Sequence, residues 1–221
     1  MSNEEFSNEF DILYNNISSN QAPGLDAYEK SVFLTNAQDA IVLELYSGKN
    51  TLGESFEKSE ELRRYLTDIT KVTTPIKSTN NNIKKISSKS TLYKCPEDLW
   101  LIVYESAKLA GITDTIEVIP VTHDEFSRIH KNPFRKATDS RVLRLDIGGE
   151  LELISNKEIE EYTIRYIHCL DPIILEDLND LTIKDKSNQS ECKLNPALHE
   201  AILERAVQLA KASMGVIESG R

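Results

Sequence analysis

Residues 141–154 read Arg-Val-Leu-Arg-Leu-Asp-Ile-Gly-Gly-Glu-Leu-Glu-Leu-Ile, and this stretch decides the fold class. Leu143, Leu145 and Ile147 alternate with Arg144 and Asp146. After Gly148-Gly149, Leu151 and Leu153 alternate with Glu150 and Glu152. A period of two belongs to a strand, and a Gly-Gly pair between two such runs supplies the positive φ angles of a two-residue turn. The pattern predicts a tight β-hairpin with one buried apolar face. Further strands are expected at 99–106, at 115–122 and, continuing the hairpin, at 161–169. A short helix is expected at 123–130, ended by Asn132-Pro133.

The flanks read as helices. Ser2 and Glu5 form a capping box, and Phe6, Phe10, Leu13 and Ile17 follow at helical spacing. Pro23-Gly24 breaks that helix. Asp26 and Glu29 start a second one through Tyr28, Val32, Ala37, Ile41 and Leu45, stopped at Gly48. A third covers about 53–69, with Leu62, Leu66 and Ile69 inward. At the far end Asn195 is a good N-cap and Pro196 suits the first helical position. Leu198, Ile202 and Leu209 mark one face of that last helix; Leu203, Val207, Ala210 and Met214 mark a neighbouring one, an arc wide enough for two partners.

The chain has 221 residues, 39% of them hydrophobic, with 36 acidic and 26 basic groups and a net charge of −10. Such a chain repels a phosphate backbone overall and is a poor sequence-independent DNA binder. Three cysteines, Cys95, Cys169 and Cys192, make no disulfide framework, which points to a reducing assembly site. The opening Met1–Glu5 lacks the basic and apolar runs of a signal peptide. No segment approaches the roughly 20 apolar residues of a membrane span.

No catalytic constellation stands out. His168, Cys169, Cys192 and His199 are metal-ligand types, but adjacent strand residues point to opposite faces and His199-Glu200 lacks a second histidine one turn on. There is no G-x-S-x-G elbow, and paired carboxylates such as Asp124-Glu125 and Glu160-Glu161 suit a solvated acidic surface. The lone Gly pair has a hairpin to make, so no glycine loop is left to cradle phosphate.

Charge is unevenly placed. Residues 1–68 carry 13 acids and 5 bases, net −8, while residues 69–96 carry six lysines and no acid. That lysine-rich stretch, Lys71 to Lys94, reads either as a solvated loop or as a contact for something negative, DNA or an acidic face of a neighbouring subunit. Aromatic residues are absent from it until Tyr93, which argues against base stacking. A second basic cluster, Lys131, Arg135, Lys136, Arg141 and Arg144, surrounds the hairpin entry. Complementing acidic segments across a subunit interface accounts for both clusters.

Several segments carry a resemblance. Asn3–Phe10, Leu25–Thr35, Asn132–Lys136 with Arg141–Leu145, Glu161–Ile167 and Pro172–Leu175 are together similar to a structural protein of crAss-like phages of gut Bacteroidales. Leu194–Val207 resembles the last helix of head-to-tail adaptors of short-tailed phages. The resemblance implies a subunit of a ring in the phage neck, about twelve copies around the portal axis. It implies a helical part with an attached β region, no cofactor and no catalytic residues, and the residues themselves give no metal site.

The expectations are therefore these. The fold is α+β and adaptor-like, with N-terminal helices (1–70), a small antiparallel sheet region containing the lysine-rich loop (71–185), and a long C-terminal helix packing with the N-terminal ones (186–221). The chain is not an enzyme. It is a virion protein, assembled in the host cytoplasm, that joins capsid and portal to tail around a channel through which DNA passes without specific binding. Its partners are copies of itself, the portal and other neck or tail proteins, with no membrane. Arg135, Lys136, Arg141 and Arg144 are expected in lateral contacts, and Val207, Ala210 and Met214 in helix docking. A DNA-binding or packaging accessory factor working through the lysine-rich segment is the alternative; an enzyme of unknown chemistry is a third.

Overall fold

The computed structural model describes residues 1–17, 24–49, 59–80 and 83–213. Pro23, the first residues of the third expected helix (53–58) and Met214 lie outside the described residues. The chain divides into two compact units, one formed by Met1–Ile69 with Leu170–Arg221, the other by Thr70–Cys169.

The first unit is helical. Helix α1 (Asn3–Ile17) starts at the Ser2–Glu5 capping box, in which Ser2 N–H donates to the Glu5 carboxylate at 2.7 Å and Glu5 N–H to the Ser2 hydroxyl at 3.2 Å. Helix α2 (Ala27–Ser47) starts at the Asp26–Glu29 box and ends on Gly48 at φ 74°. Helix α3 (Glu60–Leu66) runs into a 3-10 turn, Thr67–Ile69, with Leu62, Leu66 and Ile69 buried. A second 3-10 turn, Pro196–Leu198, capped by Asn195, leads into helix α5 (His199–Ser213), which packs on α1 and α2. Both apolar faces of α5 are thus used within the unit.

Helix α2 also carries a buried polar stripe. Ser31, Thr35 and Gln38 lie on one face at helical spacing and satisfy the backbone of the extended segment 171–175. Leu175 N–H donates to the Ser31 hydroxyl (3.0 Å), Ile173 N–H to the Thr35 hydroxyl (3.1 Å), and the Gln38 amide donates to the Asp171 carbonyl (3.0 Å). Segment 171–175 has no strand partner of its own length, so these side chains do the work of a ladder.

The second unit is a seven-stranded mixed sheet in the order β1-β7-β3-β4-β5-β6-β2. Its strands are β1 (Thr70–Thr73), β2 (Ser90–Lys94), β3 (Leu99–Leu109), β4 (Thr115–Pro120), β5 (Val142–Ile147), β6 (Glu150–Ile154) and β7 (Ile159–His168). Strands β4 and β5 pair in parallel, joined by a crossover through helix α4 (His123–Lys131); every other pair is antiparallel. The sheet curls. Tyr93 on β2 and Tyr162 on β7 are five strands apart, about 24 Å in a flat sheet, yet their ring centroids are 5.0 Å apart. The chain itself spans the seam: Thr73 pairs with β7, and Lys77 already bridges to Tyr93 on β2.

The α+β expectation does not hold. The sheet is neither small nor purely antiparallel, two of its strands come from the stretch read as a lysine-rich loop, and among the described residues the C-terminal helical segment amounts to a 3-residue turn and a 15-residue helix rather than a long helix. The strand at 161–169 does not extend the hairpin either; as β7 it lies between β1 and β3. The reason lies in the hairpin register. The turn forms as expected, with Gly148 and Gly149 at φ 53° and 83°. A two-residue turn pairs Ile147 with Glu150, Leu145 with Glu152 and Leu143 with Ile154. Odd-numbered residues therefore face even-numbered ones, and the two apolar combs point to opposite sides. Val142, Leu151 and Leu153 join an interior core with Ile116, Val118, Tyr162 and Ile164. Leu143, Leu145 and Ile154 form an outer core with Phe126 of α4 and Ala137. A sheet buried on both faces accommodates a parallel pair with a covering crossover.

Candidate subunit interface

Three of the four basic residues expected in lateral contacts, Arg135, Lys136 and Arg141, sit on or next to one rigid turn. Helix α4 packs Phe126 and Ile129 against the outer core and ends at Asn132, whose N–H donates to the Ile129 carbonyl at 3.1 Å. The Asn132 side-chain oxygen accepts from Phe134 N–H (2.9 Å), and its carbonyl accepts from Arg135 N–H (3.1 Å) and Lys136 N–H (2.9 Å). The Arg141 guanidinium donates to the Phe134 carbonyl, and Thr138 and Arg141 exchange backbone hydrogen bonds of 3.0 and 3.2 Å. The backbone N–H groups of Asn132, Phe134, Arg135 and Lys136 are all fixed, and the side chains of Phe134, Arg135 and Lys136 are exposed.

Phe134 is 86% exposed, the most exposed large hydrophobic side chain among the described residues. Beside it lies a groove of about 310 Å³ lined by Ile119, Pro120, Ile129, Leu143, Arg135 and Arg141. An exposed aromatic flanked by arginines, over an apolar floor, is the composition that dominates binding energy in protein interfaces. The sequence reading passed over Phe134, although it stands inside the quoted Asn132–Lys136 segment.

Arg144 is placed differently. It is buried on the interior face, where its guanidinium donates to Glu105, which also accepts from the Tyr162 hydroxyl. Asp146 lies 3.1 Å from the guanidinium. Burial pushes the Glu105 carboxyl up despite Arg144, and burial together with Glu105 pushes the Tyr162 phenol far up. Val207 and Ala210 are buried on α5 within the helical unit.

Between β1 and β2 the lysine-rich stretch serves as a strap over the outer face of β6. Glu152, fully buried, accepts from Ile86 N–H (2.8 Å) and from the Ser90 hydroxyl. Glu150 accepts from the Ser78 hydroxyl (2.7 Å) and the Asn80 amide (3.3 Å). Two lysines of the stretch have acid partners in the same unit: Lys71, on β1, with Asp98 at 2.6 Å and Lys77 with Glu158 at 3.4 Å.

The candidate metal ligands belong to different units. His168 and Cys169 end β7 in the strand unit, whereas Cys192 and His199 are in the helical unit. His199 is buried against the Phe6 ring, 5.3 Å away, with Nε2 3.0 Å from the Leu194 carbonyl; burial lowers its pKa. Burial raises the Cys95 and Cys192 thiols, opposite to what a nucleophile needs.

Charge also divides by unit. The helical unit holds 22 acidic and 11 basic residues, net −11; the strand unit holds 14 and 15, net +1.

A family model described as phage tail ring protein 3/4 matches residues 1–220. Ring protein 3 of Bacteroides phage crAss001 is 47% identical over 220 residues, covering 95% of each chain. Ring protein 4/5 of the same phage is 37% identical over 225 residues, covering 96% of this chain and 93% of that one.

Proposed function

Because the chain belongs to the phage tail ring protein 3/4 family of crAss-like phages, we propose that it closes head-to-tail with copies of itself into a ring of the neck, between portal and tail. A ring protein of the tail is a structural component of the virion. About twelve copies would close the ring, in register with a portal of the same symmetry. The Phe134–Arg135–Lys136 turn with Arg141 makes the lateral contact, while the acidic character of the whole subunit lets DNA pass the channel without adhering. Docking on the portal or on other neck and tail proteins uses the helical unit. Assembly takes place in the host cytoplasm.

One observation carries this reading: the two units have unlike charge, −11 and +1. A heterologous interface joins two different patches, and a closed ring repeats that joint. Unlike patches on one subunit supply it. The partnering of Lys71 and Lys77 inside the strand unit weighs against a strap reserved for DNA.

The mass of the purified species and averaged images test the proposal. A symmetric closed ring is expected, and Phe134→Ala with Arg135→Glu should shift it to monomer without loss of folded signal. A wild-type chain that stays monomeric at every concentration sinks the proposal. Tight, steeply salt-dependent binding of random duplex by that monomer would instead favour the packaging accessory.

A further inference from the structure

A second cavity, of about 340 Å³, lies between the strap and α4. Lys89, His130 and Lys136 line it together with Ser87, Ser88 and Asn156, and no acidic residue does. These groups come from the strap, the end of α4, the turn after it and the connection after β6, so chain neighbourhood alone does not assemble them. Neither lysine is ion-paired among the described residues, although eleven other lysines and arginines there have acid partners within 4.0 Å. Both lysines are exposed, and the His130 ring is stacked on Phe126 with centroids 5.4 Å apart.

Two ammonium groups, an imidazole, hydroxyls and an amide around a small polar cavity make an oxyanion receptor. Its donors suit the forked acceptor geometry of a carboxylate. We infer that this cavity receives the carboxylates of a second copy of this chain, contributed by the acidic helical unit of the neighbour. This inference rests on the ring proposed above and says which surface meets which.

Charge complementarity selects the occupant. The strand unit is close to neutral, yet it concentrates unpaired cations around the 132–137 turn; the helical unit holds an excess of 11 acids. Some of those acids stand as exposed pairs at one-turn spacing. Glu200 and Glu204 on α5 are exposed, four residues apart on one helix face, and neither is in an ion pair among the described residues. Like charges at that spacing repel each other mildly until cations cover them. The cavity adjoins the Phe134 groove through the same turn, so an apolar anchor and a charged joint are parts of one surface.

The test uses the full-length chain. Lys89→Glu with Lys136→Glu is expected to weaken ring association about 100-fold, and the paired Gln variants about 10-fold, with the folded signal unchanged. In wild-type rings mixed from isotope-labelled and unlabelled copies, zero-length carbodiimide coupling should join Lys89 or Lys136 to an acid in residues 1–69 or 170–221 of another copy. A ring that keeps its affinity in the Glu variant overturns the inference and leaves the ring reading standing. So do couplings confined to acids of residues 70–169, or a cavity that takes inorganic phosphate or duplex DNA while the ring is unaffected. A chain that never forms rings overturns both.

Discussion

Leu145 pairs directly with Glu152 across the hairpin, so a buried leucine and a buried carboxylate share one face of the sheet. The carboxylate is held there by the strap, through Ile86 N–H and the Ser90 hydroxyl.

Glu152→Ala should therefore loosen the strap and cost about 2 kcal/mol, since it strands two donors beneath a covered surface. Glu152→Gln keeps an acceptor and should recover more than half of the loss. Chemical denaturation gives the stability, and limited tryptic cleavage at Lys84, Lys85 and Lys89 gives the strap. Wild-type midpoint and cleavage rates in the alanine variant would refute the argument.

Arg144→Met should destabilise the isolated subunit by about 3–5 kcal/mol, because the interior is left with Glu105 and no cation. Adding Glu105→Gln should restore most of the loss by removing the unpaired charge. A lateral-contact role alone would instead leave subunit stability untouched and lower only ring affinity. Denaturation of the dissociated subunit separates the two.

Asp171 and Glu105 make opposite contributions as pH falls. Lys186 and Lys193 hold the Asp171 carboxyl at about 2, below the ordinary 3.8. Its stabilisation is complete above pH 3.8 and is lost as pH drops from there towards 2; the partly open site limits it to about 1 kcal/mol. Glu105 is shifted upward, chiefly by burial, so the native state takes up its proton first and acidification through that window adds stability. The stability gap between wild type and Asp171→Asn should shrink as pH falls below 3.8 and all but vanish by about pH 2. A gap that persists at pH 2 would show that the ion pairs are not its source.

Gly149 sits at φ 83° with open space around its α-carbon, so the cost of a side chain there is conformational. Gly149→Val should cost about 1–2 kcal/mol, whereas Gly148→Asn should be close to neutral, because asparagine suits the first position of this turn. Equal thermal midpoints for the two variants would contradict this.

Much was legible in the residues. Capping boxes at Ser2–Glu5 and Asp26–Glu29, the Gly48 stop, the short helix before Asn132 and the Gly148-Gly149 turn all depend on groups within a few residues, and local chemistry settles them. The single buried face expected for the hairpin was a misreading that the parity could have corrected: a two-residue turn between combs that both fall on odd positions must split them across the sheet. Strands β1 and β2 were hidden, because short lysine-bearing strands look like a solvated loop until a neighbour satisfies their backbone. The Ser31–Thr35–Gln38 stripe gave no sign of its partner, since segment 171–175 is more than 130 residues away.

By itself the sequence determined the turns, the caps, the acidic balance and the likeness to crAss-like phage ring proteins, for these depend on neighbours along the chain or on residue identity alone. Tertiary structure decided that Arg144 is internal, that Phe134 projects, and that cations from the strap and the α4 turn line one cavity. Exposure and convergence are set by which distant segments cover a residue, and a curled sheet brings its first and last strands together in a way that no local pattern records.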